Sequence, residues 1–165
     1  MRLEQALEIA ERVKAQLAPH CDRIEIAGSV RRRKPEVGDI EIVAIPKPYD
    51  VGLFASGIAP VVSAWPKVKG EIPCRYTRRR LQDGIDLDLS FATPGNWGLI
   101  YAIRTGSAGY AHYVLARGWT WRGYKSVKGR LTLCGEDVPV PEEADLFRLA
   151  GVAWTPPEKR DYLGV

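Results

Sequence analysis

The stretch that decides the reading is Gly28 to Val43, GSVRRRKPEVGDIEIV. Its second half, Asp39-Ile40-Glu41-Ile42-Val43, is β-branched and alternates charged with apolar residues, the mark of a strand with one face buried. Side chains at i and i+2 of a strand point the same way, so Asp39 and Glu41 project from one face and Ile40 and Ile42 from the other. Two carboxylates within roughly 7 Å along a strand repel each other unless a cation lies between them. Oxygen ligands of this kind suit Mg²⁺. The first half opens on Gly28-Ser29, where small residues let the backbone and the Ser29 hydroxyl approach phosphate oxygens. Arg32 follows closely enough to add a charge-assisted contact.

Working outward, Leu3, Ala6, Leu7, Ala10, Val13 and Leu17 recur at helical spacing and predict an amphipathic helix over residues 3–17, ended by Pro19. Ile24 and Ile26 alternate in a short strand, and Gly28-Ser29 reads as a turn. The strand of Asp39 closes at Pro46 and Pro48. Residues 51–64 are apolar, with a helix expected near Val51–Ser56 and a connection after it. Residues 72–81 and 85–91 read as strands joined through Gln82-Asp83-Gly84, a hairpin signal. Thr93-Pro94 reads as a helix cap followed by a first-turn proline. A helix to Arg104, a Thr-Gly-Ser break, a second helix to Gly118, a β region over 119–133 and a last helix near 141–150 complete the chain. The expected division is 1–93 and 94–165. The second strand of the hairpin carries Asp86 and Asp88, another i, i+2 pair, which reaches the first pair if the two strands are neighbours.

Composition narrows the classes. The chain has 165 residues, 24 Lys+Arg against 20 Asp+Glu, and a formal charge of +4. Apolar residues make up 45% and charged residues 27%, as in an ordinary globular protein. No apolar run approaches the ~18 residues of a membrane span. The N-terminal MRLEQALEIAERVK lacks the apolar core of a signal peptide. Cys21, Cys74 and Cys134 stand apart without a C-x-x-C pair, which speaks against a disulfide framework or zinc site and for a reducing, cytoplasmic setting. With only His20 and His112, the chemistry is expected to rest on carboxylates.

The bases are 16 Arg and 8 Lys, a bias that suits phosphate contact. They cluster at Arg31–Lys34 and at Arg75 with Arg78–Arg80. Lys67, Lys69, Arg75 and Arg78–Arg80 are the expected contacts to a nucleic-acid backbone, with Lys125, Lys128 and Arg130 opposing them. Trp119, Trp121 and Tyr124 are read as packing the second lobe, with base stacking as the alternative. His112 is read as a surface or packing residue.

Gly28-Ser29 followed by Gly38-Asp39-Ile40-Glu41 resembles the G-S…(D/E)-h-(D/E) signature of the polymerase beta-like nucleotidyltransferases, and GSVRRRKPEVGDIEIV is similar to the family X DNA polymerases. IDLDLSFATP, Arg104-Thr105-Gly106-Ser107 and VPVPEEADLFRLAGVAWTPPEKR resemble later parts of that family in the same order, from about Arg2 to Arg160. The resemblance implies an α+β fold, a nucleotidyltransferase palm of mixed sheet and flanking helices with a small C-terminal α/β lobe. It implies that Asp39, Glu41 and Asp88 are catalytic and hold two Mg²⁺ ions, or Mn²⁺, with Asp86 as the alternative third ligand. Gly28, Ser29, Arg32 and Gly38 would hold the nucleoside triphosphate, and Thr105, Gly106 and Ser107 would bracket its sugar and base, often with a cis peptide between the last two. The implied activity is transfer of a nucleotide to a DNA 3′-hydroxyl on a primer–template or gapped DNA, releasing pyrophosphate, by a monomer without a membrane partner. A nucleotidyltransferase acting on RNA or another acceptor, and a catalytically silent DNA-binding module, are the rival readings. Glu41 stands where the family usually has Asp, Ile103-Arg104 where it has an aromatic pair, and Asp86 where relatives carry Arg. The chain also begins at the catalytic core, which implies no lyase domain.

Overall fold

The computed structural model describes residues 1–48 and 57–162. It divides into two compact units, Met1–Ala92 and Thr93–Val165. The class is α+β.

In the first unit, α1 (Leu3–Leu17) buries Ala6, Ile9, Ala10, Val13 and Leu17. The stripe runs through Ile9, and Leu7 lies outside it, exposed. β1 (Cys21–Ile26) and α2 (Gly28–Arg31) follow, so Gly28-Ser29 opens a single helical turn rather than a simple reversal. β2 runs Asp39–Pro46. The expected helix near Val51–Ser56 lies outside the described residues, and the expected connection instead carries α3 (Ile58–Ser63). β3 (Lys67–Lys69), β4 (Tyr76–Arg80) and β5 (Asp86–Phe91) complete a five-stranded sheet of order β1-β2-β5-β4-β3.

β4 and β5 form the antiparallel hairpin anticipated at Asp83-Gly84, with Gly84 at φ 79° and Leu81 N–H donating to Ile85 at 3.0 Å. An Arg12–Asp83 ion pair ties the turn to α1. β2 and β5 are parallel neighbours, although about forty residues separate them in sequence. Their inner residues Ile40, Ile42, Leu87 and Leu89 are wholly buried and join Val13, Leu17 and Ile58 in one core. Burying apolar area stabilises by roughly 25 cal/mol per Å², so these wholly buried side chains stabilise the unit.

In the second unit, α4 (Trp97–Thr105) is capped at Asn96, not at Thr93-Pro94. The Asn96 side chain instead accepts from Thr93 N–H (2.7 Å) and hydroxyl (3.0 Å) and so closes a turn before the helix. After the Thr-Gly-Ser break, α5 (Ala108–Tyr110), a π-helical segment (Ala111–Ala116) and α6 (Arg117–Trp121) run on without interruption. Helix therefore reaches past Gly118 and takes the start of the expected β region. β6 (Tyr124–Val127), β7 (Arg130–Leu133) and β8 (Glu136–Val138) form a small antiparallel sheet.

α7 (Glu143–Ala150) has a reciprocal capping box between Glu142 and Asp145 and stops at left-handed Gly151. Leu99, Ala102, Leu115, Trp119, Leu131, Leu146 and Phe147 form the unit's own core. Arg160 is wholly buried. It pairs with Glu143 at 2.6 Å and lies 4.9 Å from the ring centroids of Phe147 and Trp154. No helix among the described residues is long and apolar enough to cross a membrane.

Candidate active site

The parallel register of β2 and β5 sets Asp39 beside Asp86 and Glu41 beside Asp88. The alternate residues Ile40, Ile42, Leu87 and Leu89 face the core, so all four acids lie on the opposite face of the sheet. β4 adds bases in register on that face, Arg78 beside Asp88 and Arg80 beside Asp86. Arg78 grips Asp88 through two bonds, Nε to Oδ1 and Nη2 to Oδ2, both 2.6 Å. Its Nη2 also reaches Asp39 Oδ2 at 3.3 Å. Tyr76 donates its hydroxyl to Asp88 Oδ1 at 2.8 Å. Arg80 pairs with Asp86.

Burial and the neighbouring Asp88 push the Asp39 carboxyl above its usual range, with Arg78 acting in the opposite sense and Asp86 adding to the rise. Hydrogen bonding to Asp88 pushes the Arg78 guanidinium further toward its charged form. Burial and the bond to Asp88 likewise raise the Tyr76 phenol. Of the two acids of β5, Asp88 acts on Asp39 more strongly than Asp86 does.

The turn above the acids is shaped by Glu41. A Cβ placed on Gly28 would lie 2.0 Å from Glu41 Oε2 and 2.9 Å from Glu41 Cβ, and Gly28 has φ 62°. Only glycine meets both conditions. Ala27 N–H donates to the Glu41 carbonyl at 2.8 Å and fastens the turn to β2. The Ser29 hydroxyl beside it is buried and has no hydrogen-bond partner within the protein, a costly state for a polar atom. Arg32 closes the same turn through its backbone N–H to the Gly28 carbonyl (3.0 Å) and is half-buried. A Cβ on Gly38 would meet nothing within 4 Å, so no packing contact requires glycine there.

Several expected contacts fall elsewhere. Arg78 and Arg80 bind acids of the sheet. Arg79 points to the other face, buried, and donates to Thr77 Oγ1 (3.0 Å) and to the carbonyls of Trp65 and Gly70 (both 3.3 Å). Of the expected backbone-contact run, Lys69 and Arg75 remain exposed, and Lys67 pairs with Glu71.

In the second unit Thr105 is wholly buried, and a Cβ on Gly106 would sit 2.9 Å from the Tyr110 ring. The Ser107 hydroxyl accepts from the backbone N–H groups of Tyr110 (3.1 Å) and Tyr162 (3.2 Å), which makes it a local cap. The cis peptide among the described residues is Ile72–Pro73, and Gly106–Ser107 is trans. Trp119 is buried, whereas Trp121 is 89% exposed. Arg78 and Tyr76 as partners of Asp88 escaped the sequence reading. Strand alternation within Tyr76–Arg80 was the signal that could have found them.

As arranged, no trio of His, Cys, Asp or Glu among the described residues is set to enclose a metal ion. The Arg78 guanidinium supplies the positive charge between Asp88 and Asp39. The donor chemistry still fits a hard divalent cation. Four carboxylates face two guanidinium groups, Asp39 is held above its usual range by burial and then by Asp88, and every donor is oxygen.

The sequence matches no protein-family model, and no curated protein is similar to it. The fold and site therefore define an α+β protein with a carboxylate cluster on a mixed sheet.

Proposed function

We propose that the protein is a divalent-metal-dependent nucleotidyltransferase of the polymerase beta-like type, which transfers a nucleotide to a DNA 3′-hydroxyl and releases pyrophosphate. The observation that carries the reading is the β2–β5 register, which sets Asp39 beside Asp86 and Glu41 beside Asp88 on one face of the sheet, next to the Gly28-Ser29 turn. Asp39, Glu41 and Asp88 would hold Mg²⁺ or Mn²⁺. A bound divalent ion supplies Lewis acidity toward the attacking hydroxyl and the leaving pyrophosphate.

The chain's own residues do the rest. The Ser29 hydroxyl, otherwise unsatisfied, donates to a phosphate oxygen. Arg32 adds positive charge at the same turn. Arg78 orients Asp88 and Asp39, and Tyr76 donates to the Asp88 Oδ1 that Arg78 Nε also meets. Catalysis of this kind is chiefly positioning and electrostatics. Primer extension with purified protein, with dNTPs and rNTPs in Mg²⁺ and in Mn²⁺, tests the reading. Metal-dependent product that Asp39→Ala abolishes supports it. Absence of product, or equal product from Asp39→Ala, refutes it. Incorporation indifferent to the DNA template, or transfer from ATP to another acceptor, would favour the nucleotidyltransferase acting on RNA or another molecule, a reading that Ile103-Arg104 keeps open.

The silent DNA-binding module draws on one observation, the closed charge balance at Arg78 and Asp88. It requires salt-sensitive DNA binding that neither divalent ions nor Asp88→Ala alters.

A further inference from the structure

Between Asp88 and Glu136 the sequence contains no acidic residue and six bases, Arg104, Arg117, Arg122, Lys125, Lys128 and Arg130. This stretch holds the continuous helical run of α5, the π segment and α6, followed by β6. Arg117, Arg122, Lys125 and Lys128 are exposed. In Trp119-Thr120-Trp121 the two indoles divide. Trp119 joins the core of the second unit, and Trp121 is the most exposed of the large apolar side chains among the described residues, at 89%. Tyr113 is 49% exposed and stacks edge-on with His112, ring centroids 4.7 Å apart. His112, Tyr113, Ala116, Arg117, Thr120 and Trp121 line one shallow depression of about 510 Å³. Ala111–Ala116, which carries the first three of these residues, is π-helical, and such segments recur at functional sites.

We propose that this face binds single-stranded nucleic acid, with a base stacked on Trp121 and backbone phosphates meeting Arg117, Arg122 and Lys125. An exposed indole with Arg117 in the same depression, Arg122 and Lys125 following in sequence and no neighbouring acid in sequence suits a polyanion that carries flat aromatic groups. An unpaired strand is the fitting form, because bases within a duplex already cover one another's faces. Trp121 performs no packing that would otherwise explain it, since Trp119 fills the core position. The inference takes nucleic acid as partner from the reading above and uses none of its transfer chemistry.

The test is fluorescence anisotropy of a labelled oligonucleotide of about a dozen unpaired nucleotides, against a blunt duplex of equal length, in EDTA. Trp121→Ala weakens single-strand binding about 5- to 150-fold, the range set by one stacked base. Trp121→Phe retains most of the affinity. Arg117→Gln lowers the slope of log affinity against log salt by about 0.7, the loss of one phosphate contact on a single strand. Full affinity in Trp121→Ala overturns the proposal, as does wild-type protein that does not bind the single strand. Equal loss on single strand and duplex overturns it too, and circular dichroism confirms that the variants are folded. The measurement needs no metal and no product. Binding that depends on Trp121 without nucleotide transfer would sink the enzymatic reading alone, and transfer without such binding would sink this one alone.

Discussion

Arg78→Gln removes the one guanidinium that bridges Asp88 and Asp39. The two bonds to Asp88 are 2.6 Å each, and the Asp88 side chain is only 9% exposed while that of Arg78 is 33% exposed. A unit-charge pair about 4 Å apart at an effective dielectric near 20 is worth about 4 kcal/mol gross. Exposure of Arg78 and the cost of desolvating the pair return much of this. Loss of the partner also leaves Asp88 beside Asp39 with their repulsion uncompensated.

A net destabilisation of about 2 kcal/mol follows, consistent with charged hydrogen bonds of ~1.5–3 kcal/mol. For a chain of this size that lowers the melting temperature by about 4–8 °C. The assay is calorimetry or circular dichroism in EDTA, then in Mn²⁺. The cation replaces the missing positive charge, so Mn²⁺ raises the melting temperature of Arg78→Gln more than that of the wild type. Coupling is read from a double-mutant cycle with Asp88→Asn, in which the second change recovers part of the loss. An Arg78→Gln protein as stable as the wild type in EDTA, with no greater response to Mn²⁺, would refute the reasoning.

Asp39→Asn should stabilise the metal-free protein at neutral pH while abolishing transfer. The folded-state pKa of Asp39 is raised, by burial first and then by Asp88, so the folded protein holds a proton that the unfolded chain gives up. That contribution is full below the ordinary carboxylate pKa and is lost as pH rises through the folded value. Denaturant titrations at several pH values would show the asparagine variant without this fall, and an unchanged profile would exclude the mechanism. Gly28→Ala should cost about 2–5 kcal/mol, from ~1–2 kcal/mol of left-handed strain and ~1–3 kcal/mol of overpacking against Glu41. It should also displace Glu41, so that metal affinity falls with stability in calorimetric titration. Cys134 is exposed, whereas burial, and then Asp22, push the buried Cys21 thiol up to about 11. Maleimide labelling at pH 8 should therefore modify Cys134 at once and Cys21 only on unfolding, as mass spectrometry would show.

Local chemistry carried much of the fold. The amphipathic stripe of α1, the alternation of Asp39–Ile45, the Asp83-Gly84 hairpin and the glycine stop at Gly151 depend on neighbours in sequence, and their physics is short-ranged. The misreadings arose where a choice belonged to tertiary contacts. Thr93-Pro94 and Asn96 are both acceptable caps by residue type, and only the turn closed by the Asn96 side chain selects between them. Trp119 and Trp121 look alike as residues, and the packing of α6 into the second core buries the first and leaves the second exposed.

The site divides along the same line. By its spacing alone the sequence determined that Asp39 and Glu41 share a face, that Asp86 and Asp88 share another, and that a glycine turn precedes the first pair, because strand alternation is a property of the local backbone. The parallel pairing of β2 with β5 could come only from the folded sheet, since nothing within either strand names its distant neighbour. The run Arg78-Arg79-Arg80 shows the difference most plainly. In sequence it is one basic patch. In the sheet its alternate members part, Arg79 into the protein and Arg78 and Arg80 onto the acids, because β4 is hydrogen-bonded to the strand that carries Asp86 and Asp88.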